Sequence, residues 1–467
     1  MKCHVLLIRC ARTRCCIIFL IFGFIFLIGR LYQYRRYQLM SAIFRASDYE
    51  LMQSLNPNLS NSKHFIPGMF LKNVLPRNES YCRFRFGLPD MLEINESDVD
   101  FTPELGEDSD YRVIYNVLGS NYNVSDKKNN VTFCTHATPE FFYYVVEVLQ
   151  RWEGPVSIAT FVPSTDASLI LCLAERLCSC LPDMARVSLH FIFPLSHPPR
   201  LIACPSTLSD QAGCGMPKPL ANKSLQTFRN SEAMTYPVNV ARNVARMQSQ
   251  TTFTLVADVE LFPSKNLVGN FLKMVDKLKQ KSENGLNDFA SRIVYVLPVF
   301  EVGANEAVPS VKSKLLEMYS QNQAFYFHRW VCSHCQRFPG LQRWLLKKSS
   351  SMDESIKPFI VVRREFPFHR WEPVFIGTNS EPFYSEMLTW EGQQDKMTQM
   401  HEMCLMKYHF VILDGAFLVH APGVKRKADV LRDSWRNDQQ KKNSALYERI
   451  MKSINKKLKE NSRCRIH

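Results

Sequence analysis

Short apolar runs and amphipathic segments alternate along the chain from residue 131 onwards. Apolar runs of about five to eight residues predict buried strands, and longer segments with a 3.6-residue period predict helices. The first runs predict a strand–helix–strand–helix–strand series, at 131–136, 139–152, 156–162, 166–177 and 187–193. This order predicts an α/β fold with a parallel sheet and right-handed crossovers.

The same pattern continues towards the carboxyl terminus. It predicts helices at 238–249 and 266–281, and strands at 253–257, 293–299, 359–362, 408–413 and 416–419. Residues 428–460 are predicted as a basic helical tail. Residues 32–125 show poor periodicity and many Asn, Ser and Pro residues, which favours a solvated stem.

The apolar strand 253–257 runs directly into two acidic residues, Asp258 and Glu260, and Pro263 ends the run. Ligands of open α/β sheets bind at the carboxyl ends of the strands, so both carboxylates are expected at that edge. Hard oxygen ligands suit Mg²⁺ or Mn²⁺, which usually share their coordination with a substrate's phosphates. The simpler alternative is a strand that ends in a solvated turn.

A second strand end carries an imidazole. His420 follows an apolar run, and Gly423 and Lys425 come after it in the same loop. An imidazole can complete a Mn²⁺ shell, and an ammonium can neutralise a leaving diphosphate. The alternative is a histidine satisfied in the core beside a solvated lysine.

The predicted helix 238–249 carries two candidate ligand-binding residues, Asn239 and Arg242. Arg242 and Arg246 are four residues apart and share one helix face. A guanidinium there can bind a carboxylate or phosphate, although arginines on surface helices are more often only solvated. Farther along, 371–373 (Trp-Glu-Pro) and 383–386 (Phe-Tyr-Ser-Glu) offer aromatic surfaces for sugars, and a carboxylate that can deprotonate an acceptor hydroxyl.

The formal net charge of +14 is concentrated at the two ends of the chain. Residues 1–40 hold seven Lys or Arg and no acid, and residues 425–467 hold fourteen basic and five acidic residues. The body between them is close to neutral. This distribution argues against a nucleic-acid-binding groove.

Residues 15–29 are uncharged and almost wholly apolar, and four basic residues precede them. They predict a signal anchor at 15–31 with a cytoplasmic tail at 1–14; a cleavable signal peptide is the alternative. The predicted lumenal part is then a stem at 32–125, a catalytic domain at 126–427 and a basic tail at 428–467. Six Asn-x-Ser/Thr sequons agree with a lumenal body, at Asn58, Asn78, Asn95, Asn123, Asn130 and Asn222.

Eleven of the fifteen cysteines follow the predicted anchor, where disulfides can form. Cys204 and Cys214 bracket a short loop and are a plausible local pair. Cys332 and Cys335 have the spacing of a zinc or redox site, but no second pair of this kind accompanies them, which favours a disulfide or a plain core role. An odd number leaves at least one cysteine unpaired or intermolecular.

The chain resembles glycosyltransferase family 49, the family of the β-1,4-glucuronyltransferases and of the carboxyl-terminal domain of the LARGE xylosyl- and glucuronyltransferases. Seven segments within about 130–450 carry the resemblance: 131–136, 151–155, 236–243, 258–264, Cys335-Gln336 with Arg343-Trp344, 371–373 and 417–420. The resemblance implies a GT-A fold (a Rossmann-like mixed, mostly parallel sheet flanked by helices), a single-pass type II anchor in the Golgi membrane, a UDP-sugar donor, and Mn²⁺ or Mg²⁺.

The resemblance also implies glucuronic acid transfer to xylose in a dystroglycan-type O-mannosyl glycan, and association as a homodimer or with other glycosyltransferases. By position it implies Asp258, Glu260 and His420 as metal ligands and Glu386 as the catalytic base. This chain departs from the family where Glu260 replaces the usual Asp, and where Ser385 and Met387 flank Glu386. These departures leave open a related transferase with another donor or acceptor, such as xylose or N-acetylglucosamine, and a non-catalytic homologue.

Overall fold

The structure is a computed structural model that describes residues 65, 67, 80–87, 94–121, 130–209, 215–282, 292–347, 355–426 and 437–464. These residues belong to one compact unit, Lys63–His467. The predicted cytoplasmic tail and anchor lie outside them, as does most of the predicted stem. No helix in the described ranges has the length and apolar character needed to cross a membrane.

The strands of the described residues are β1 Arg83–Phe84, β2 Val99–Asp100, β3 Tyr111–Gly119, β4 Val131–Ala137, β5 Val156–Phe161, β6 Val187–Pro194, β7 Phe253–Val256, β8 Leu261–Pro263, β9 Ile293–Leu297, β10 Val299–Val302, β11 Ala324–Tyr326, β12 Lys357–Val362, β13 Val374–Gly377, β14 His409–Asp414 and β15 Leu418–His420. The helices are α1 Val145–Leu149, α2 Asp166–Cys180, α3 Ser206–Ser209, α4 Lys218–Ala221, α5 Phe228–Ser231, α6 Val238–Met247, α7 Leu267–Ser282, α8 Lys312–Ser320, α9 Leu341–Leu346, α10 Met397–Leu405 and α11 Asn437–Lys457. Short 3₁₀ turns lie at Glu96–Asp98, Phe142–Tyr144 and Pro182–Arg186.

A large mixed sheet forms the centre of the molecule, in the order β1-β3-β6-β5-β4-β7-β13-β9-β14-β12, with β2 beside β3. β6, β5, β4 and β7 are mutually parallel, and β9 is parallel to β14. The predicted α/β fold with a parallel series is therefore confirmed. β13 is inserted antiparallel between β7 and β9, which the sequence pattern did not predict.

A smaller sheet has the order β11-β10-β15-β8. β15 pairs antiparallel with β8 and parallel with β10. Because β8 follows β7 after a four-residue turn, the small sheet begins where the large sheet ends. This junction holds the acidic pair predicted from the sequence.

Part of the predicted stem belongs to the large sheet. β3 has nine residues, pairs with β6, and buries Val113, Ile114, Val117 and Leu118. A domain boundary at residue 126 therefore cuts through the sheet. The sequence suggested a solvated spacer because periodicity is poor and Asn, Ser and Pro are frequent over residues 32–125.

The basic tail packs on the rest of this compact unit. Tyr447 and Met451 of α11 are buried against Met397, and Cys404 is disulfide-bonded to Cys464. Asn443 donates a hydrogen bond to the carbonyl of Thr389 at 3.0 Å. The helical prediction is confirmed for 437–457; residues 428–436 lie outside the described ranges.

The disulfides differ from the predicted cysteine pairing in one place. Cys204 bonds to Cys172 of α2, so the predicted pair of Cys204 with Cys214 is wrong. Cys332 bonds to Cys335, Cys82 bonds to Cys178, and Cys134 is free and buried. Among the sequons, Asn95 and Asn222 are exposed and Asn130 is buried; the other three lie outside the described residues.

Candidate active site

Pairing within the small sheet brings Glu260 and His420 together. His420 lies opposite Leu261 in the β15–β8 register, and the N–H of Ala421 donates to the carbonyl of Glu260 at 2.8 Å. The imidazole Nε2 of His420 is 3.9 Å from Oε2 of Glu260. Two residues separated by 160 positions therefore meet at one sheet edge, as their placement at strand ends predicts.

His420 is held in one tautomer. Its Nδ1 is 2.8 Å from the carbonyl oxygen of Ala421, so Nδ1 carries the proton and Nε2 presents a lone pair towards Glu260. The ring stacks on Phe327, with 5.0 Å between the ring centres. Burial lowers the pKa of His420 and favours the neutral imidazole that binds metals.

Asp258 is surrounded by nitrogen donors. Its Oδ1 is 3.1 Å from Nε2 of His136 and 3.3 Å from Nη2 of Arg242, and its Oδ2 is 4.0 Å from Nζ of Lys396. Burial alone would raise its pKa, but Lys396, His136 and Arg242 outweigh this effect and hold the pKa of Asp258 well below its ordinary value. Asp258 is therefore ionised, as a metal ligand must be.

His136 is placed by the parallel register of β4 and β7. Val131 lies opposite Phe253 and Cys134 opposite Val256, so His136 falls level with Asp258 at the same edge. Burial lowers the pKa of His136, and the neutral ring donates from Nε2 to Asp258. The Tyr236 hydroxyl donates to Nδ1 at 2.8 Å, which fixes this tautomer.

Arg242 and Asn239 lie inside the protein. Arg242 is ion-paired with Asp395 as well as with Asp258, and it donates to the amide oxygen of Asn239 at 2.9 Å. The amide nitrogen of Asn239 donates to the carbonyls of Ser385 and Asp395, each at 2.8 Å. In this arrangement both residues hold Asp258 and the 385–395 segment in place; their role in donor binding stays a prediction.

The carboxylate of Glu386 is buried and fully hydrogen-bonded. It accepts from the backbone N–H of Glu104 at 3.2 Å, that of Leu105 at 3.1 Å, and the Asn243 amide at 3.0 Å. Glu104 in turn accepts from the N–H of Glu386 at 2.5 Å. Glu386 therefore joins residues 104–105 to α6.

Lys425 is exposed on the loop after β15. Its charge helps to lower the pKa values of His420 and His328, in both cases after the larger effect of burial, so it lies near the imidazoles. The role of Lys425 in donor binding stays a prediction.

The chemistry of the donor set fits Mn²⁺ or Mg²⁺, since it offers two carboxylates and one imidazole with an available lone pair. The three groups are not drawn tightly together. In the described part of the chain, the one trio of His, Cys, Asp or Glu with ligand atoms within 4.8 Å of each other is Cys332, His334 and Cys335. Its two cysteines form a disulfide, so they are not thiolate ligands.

Sequence reasoning missed His136, Asp395 and Lys396 as parts of this site. His136 could have been found, because it ends the predicted strand 131–136 that is parallel to β7. Asp395 and Lys396 lie in an irregular segment between Trp390 and α10, where no periodicity indicates which way a side chain points.

Comparison with protein families decides the class of the chain. The model described as "Glycosyl-transferase for dystroglycan" matches residues 130–459. The chain belongs to this family. It is therefore a glycosyltransferase of family 49, and this class implies a sugar donor and a glycan acceptor.

Similar proteins support the same class, although their sequence identity to this chain is low. The chain is 25% identical to β-1,4-glucuronyltransferase 1 of Danio rerio over 74% of this chain and 80% of that protein. It is 28% identical to that of Homo sapiens over 68% of this chain and 72% of that protein. Xylosyl- and glucuronyltransferase LARGE1 of Homo sapiens is 21% identical over 71% of this chain, and the match covers 36% of that protein.

Proposed function

We propose that this glycosyltransferase has a GT-A fold and transfers glucuronic acid from UDP-glucuronate, with inversion, to a xylose-terminated O-mannosyl glycan. Family membership and the likeness to β-1,4-glucuronyltransferase 1 support the donor and acceptor classes. The main structural support is the meeting of Glu260 and His420, 3.9 Å apart, beside the ionised Asp258.

Asp258, Glu260 and His420 are the residues that would hold the Mn²⁺ ion. A bound ion would bind the donor's diphosphate and stabilise the negative charge of the departing UDP. The protein prepares this site in two ways. His136 and Arg242 orient the Asp258 carboxylate, and the Ala421 carbonyl orients the His420 ring. Lys396 and Lys425 supply positive charge for the diphosphate.

We place this reaction in the Golgi lumen. The predicted anchor at 15–31, the clustered sequons and the disulfides of the catalytic unit support an oxidising, lumenal environment. The protein would then be a single-pass type II membrane protein whose acceptor is a glycoprotein. A homodimer or a complex with other glycosyltransferases is consistent with this location.

A second candidate is a related UDP-sugar transferase with another donor or acceptor. It is favoured by Glu260, whose side chain is one methylene longer than the Asp that the family resemblance implies there. It is also favoured by Met387, which is exposed beside Glu386. If the same departures from the family pattern abolish activity altogether, the protein is a non-catalytic homologue.

A panel of UDP-sugars distinguishes these candidates. Full-length protein in detergent is incubated with UDP-glucuronate, UDP-xylose or UDP-N-acetylglucosamine, with and without Mn²⁺, and UDP release is measured with a xyloside acceptor. We expect release with UDP-glucuronate that requires both Mn²⁺ and the acceptor. Release with another donor alone would support the second candidate, and no release with any donor would support the non-catalytic homologue.

Replacement of His420 tests the metal site. We expect His420→Ala to lower kcat by about 10³-fold, because several kcal/mol of charge stabilisation depend on the ion. The lost stacking on Phe327 costs about 1 kcal/mol of stability. His420→Phe is the matched control, since it keeps an aromatic ring against Phe327 without the nitrogen ligand. Losses of activity no greater than the losses of stability would make His420 a core residue.

A further inference from the structure

An inverting transferase needs a carboxylate that can receive a proton from the acceptor hydroxyl. Glu386 is poorly suited to this role, since its two oxygens already accept three hydrogen bonds and its side chain is buried. Both oxygens that a base would have to turn towards an acceptor hydroxyl are therefore already occupied by donors of the protein. The described residues contain another carboxylate, Glu372, at the edge that holds Asp258.

The register of the large sheet fixes where Glu372 lies. In the antiparallel pair of β13 and β7, Ile376 lies opposite Leu255 and Gly377 opposite Thr254. Each step back along β13 corresponds to one step forward along β7. Glu372, two residues before β13 begins, is therefore brought alongside the turn that carries Asp258 and Glu260.

The backbone around Glu372 is firmly held. Its N–H donates to the carbonyl of Cys335 and its own carbonyl accepts from the Gln336 side chain, both at 2.8 Å. The preceding Trp371 is buried, and its carbonyl accepts from Nε of Arg364 at 2.5 Å. A side chain on such a support is pre-positioned, as a catalytic group requires.

Glu372 is partly exposed as a residue, and within the described residues its carboxylate makes no hydrogen bond. Burial raises its pKa, and the nearby Lys396 is the largest opposing influence. The same Lys396 lies 4.0 Å from Asp258. Lys396 therefore acts on both carboxylates, and of these two only that of Glu372 has both oxygens without a hydrogen-bond partner among the described residues.

We propose that Glu372, and not Glu386, is the general base of the transfer. This inference rests on the proposed function. Its carboxylate takes the proton of the acceptor hydroxyl as that oxygen bonds to the anomeric carbon. The bond from the anomeric carbon to the diphosphate oxygen breaks, and UDP leaves with the electron pair. Protonated Glu372 then returns its proton to solvent.

The test compares E372Q with E386Q in full-length protein. We expect E372Q to lower kcat for transfer by about 10²–10⁴-fold, the usual contribution of a general base. Its Kd for UDP with Mn²⁺, measured by calorimetry, should stay within threefold of that of the wild type. E386Q places an amide against the N–H donors of Glu104 and Leu105, so it should lower thermal stability and reduce kcat less than E372Q does.

A fluorinated acceptor separates catalysis from positioning. Fluorine beside the reacting hydroxyl makes that hydroxyl more acidic, so the deficit of E372Q relative to the wild type should shrink with this acceptor. An unchanged deficit, a parallel loss of UDP affinity, or a larger effect of E386Q would overturn the assignment of Glu372. A wild-type protein that binds UDP but transfers no sugar would overturn the proposed function, and this proposal with it.

Discussion

Two aspartates lie at the ends of apolar strands of the same large sheet, and each lies near two cations. Asp258 follows β7 and lies near Arg242 and Lys396. Asp414 is the last residue of β14 and contacts Nζ of Lys312 at 2.5 Å and Nζ of Lys347 at 2.7 Å. The local sequences are alike, since an apolar run precedes an aspartate in both.

The two sites differ in the contacts of the second carboxylate oxygen. Each oxygen of Asp414 contacts its own lysine, the side chain is 13% exposed, and Lys312 lies 4.0 Å above the Trp344 ring. The Asp258 side chain is 36% exposed, and among the described residues its Oδ2 has no cation closer than 4.0 Å. A strand-end aspartate thus indicates a ligand only where one oxygen stays open, and Asp414 instead fastens α8 to the sheet.

The largest expected effect is that of Asp258→Asn on catalysis. The amide removes one charge from the proposed metal site, so we expect kcat to fall by about 10³-fold or more. Arg242 keeps Asp395 as a partner, so the loss of stability should be about 1–2 kcal/mol. Steady-state kinetics and urea unfolding measure the two quantities. Unchanged turnover would remove Asp258 from the active site.

Lys312→Met should have the second largest effect, on stability alone. Lys312 is 3% exposed, and breaking a buried ion pair costs about 3 kcal/mol. Lys347→Met is the matched control, because Lys347 is 48% exposed and a surface pair is worth about 1 kcal/mol or less. Both variants should keep the kcat of the wild type. A loss of turnover in Lys312→Met at full occupancy of the folded state would make Asp414 functional as well.

Acid pH should remove the contribution of Asp414. Burial would raise the pKa of this carboxyl, but Lys312 and Lys347 outweigh burial and lower it below the ordinary value of 3.8. A lowered folded-state pKa gives stability that is present above 3.8 and is lost as the pH falls through the folded value. The stability difference between wild type and Asp414→Asn should be constant from pH 5 to 7 and shrink below pH 4. A difference that grows towards acid would contradict this sign.

Much of the fold follows from the sequence, because the hydrophobic period and the length of the apolar runs indicate helices and strands locally. The parallel series β4, β5 and β6 was predictable from apolar runs alternating with helices. The meeting of Glu260 and His420 was predicted from their positions after apolar runs, but its cause is the antiparallel pairing of β15 with β8, which puts the end of one strand beside the start of the other. The inserted antiparallel β13 was not predictable, because its four apolar residues resemble those of any buried strand.

The surroundings of the predicted residues could not be derived from the sequence. Arg242 and Arg246 share a helix face, yet Arg242 binds Asp395 and Asp258, whereas Arg246 donates to the carbonyls of Pro382 and Glu381. These partners lie more than a hundred positions away or in irregular segments. Spacing identifies which residue types share a face, and only tertiary packing decides which of them remain open to a ligand.

The smallest effect is expected for Glu260→Asp. This substitution tests whether the site around Asp258 binds a metal ion, in contrast to the fully paired Asp414. The shorter side chain withdraws the carboxylate by about one bond length from a position 3.9 Å from His420, and the geometry of Mg²⁺-like ions is strict. We expect the apparent affinity for Mn²⁺ to change by about tenfold, while stability stays within about 0.5 kcal/mol, the range of surface substitutions. Titration of UDP release with Mn²⁺ measures the first quantity, and urea unfolding measures the second. An Mn²⁺ dependence identical to that of the wild type would count against Glu260 as a metal ligand, because the shortened side chain withdraws its oxygens from the position next to His420.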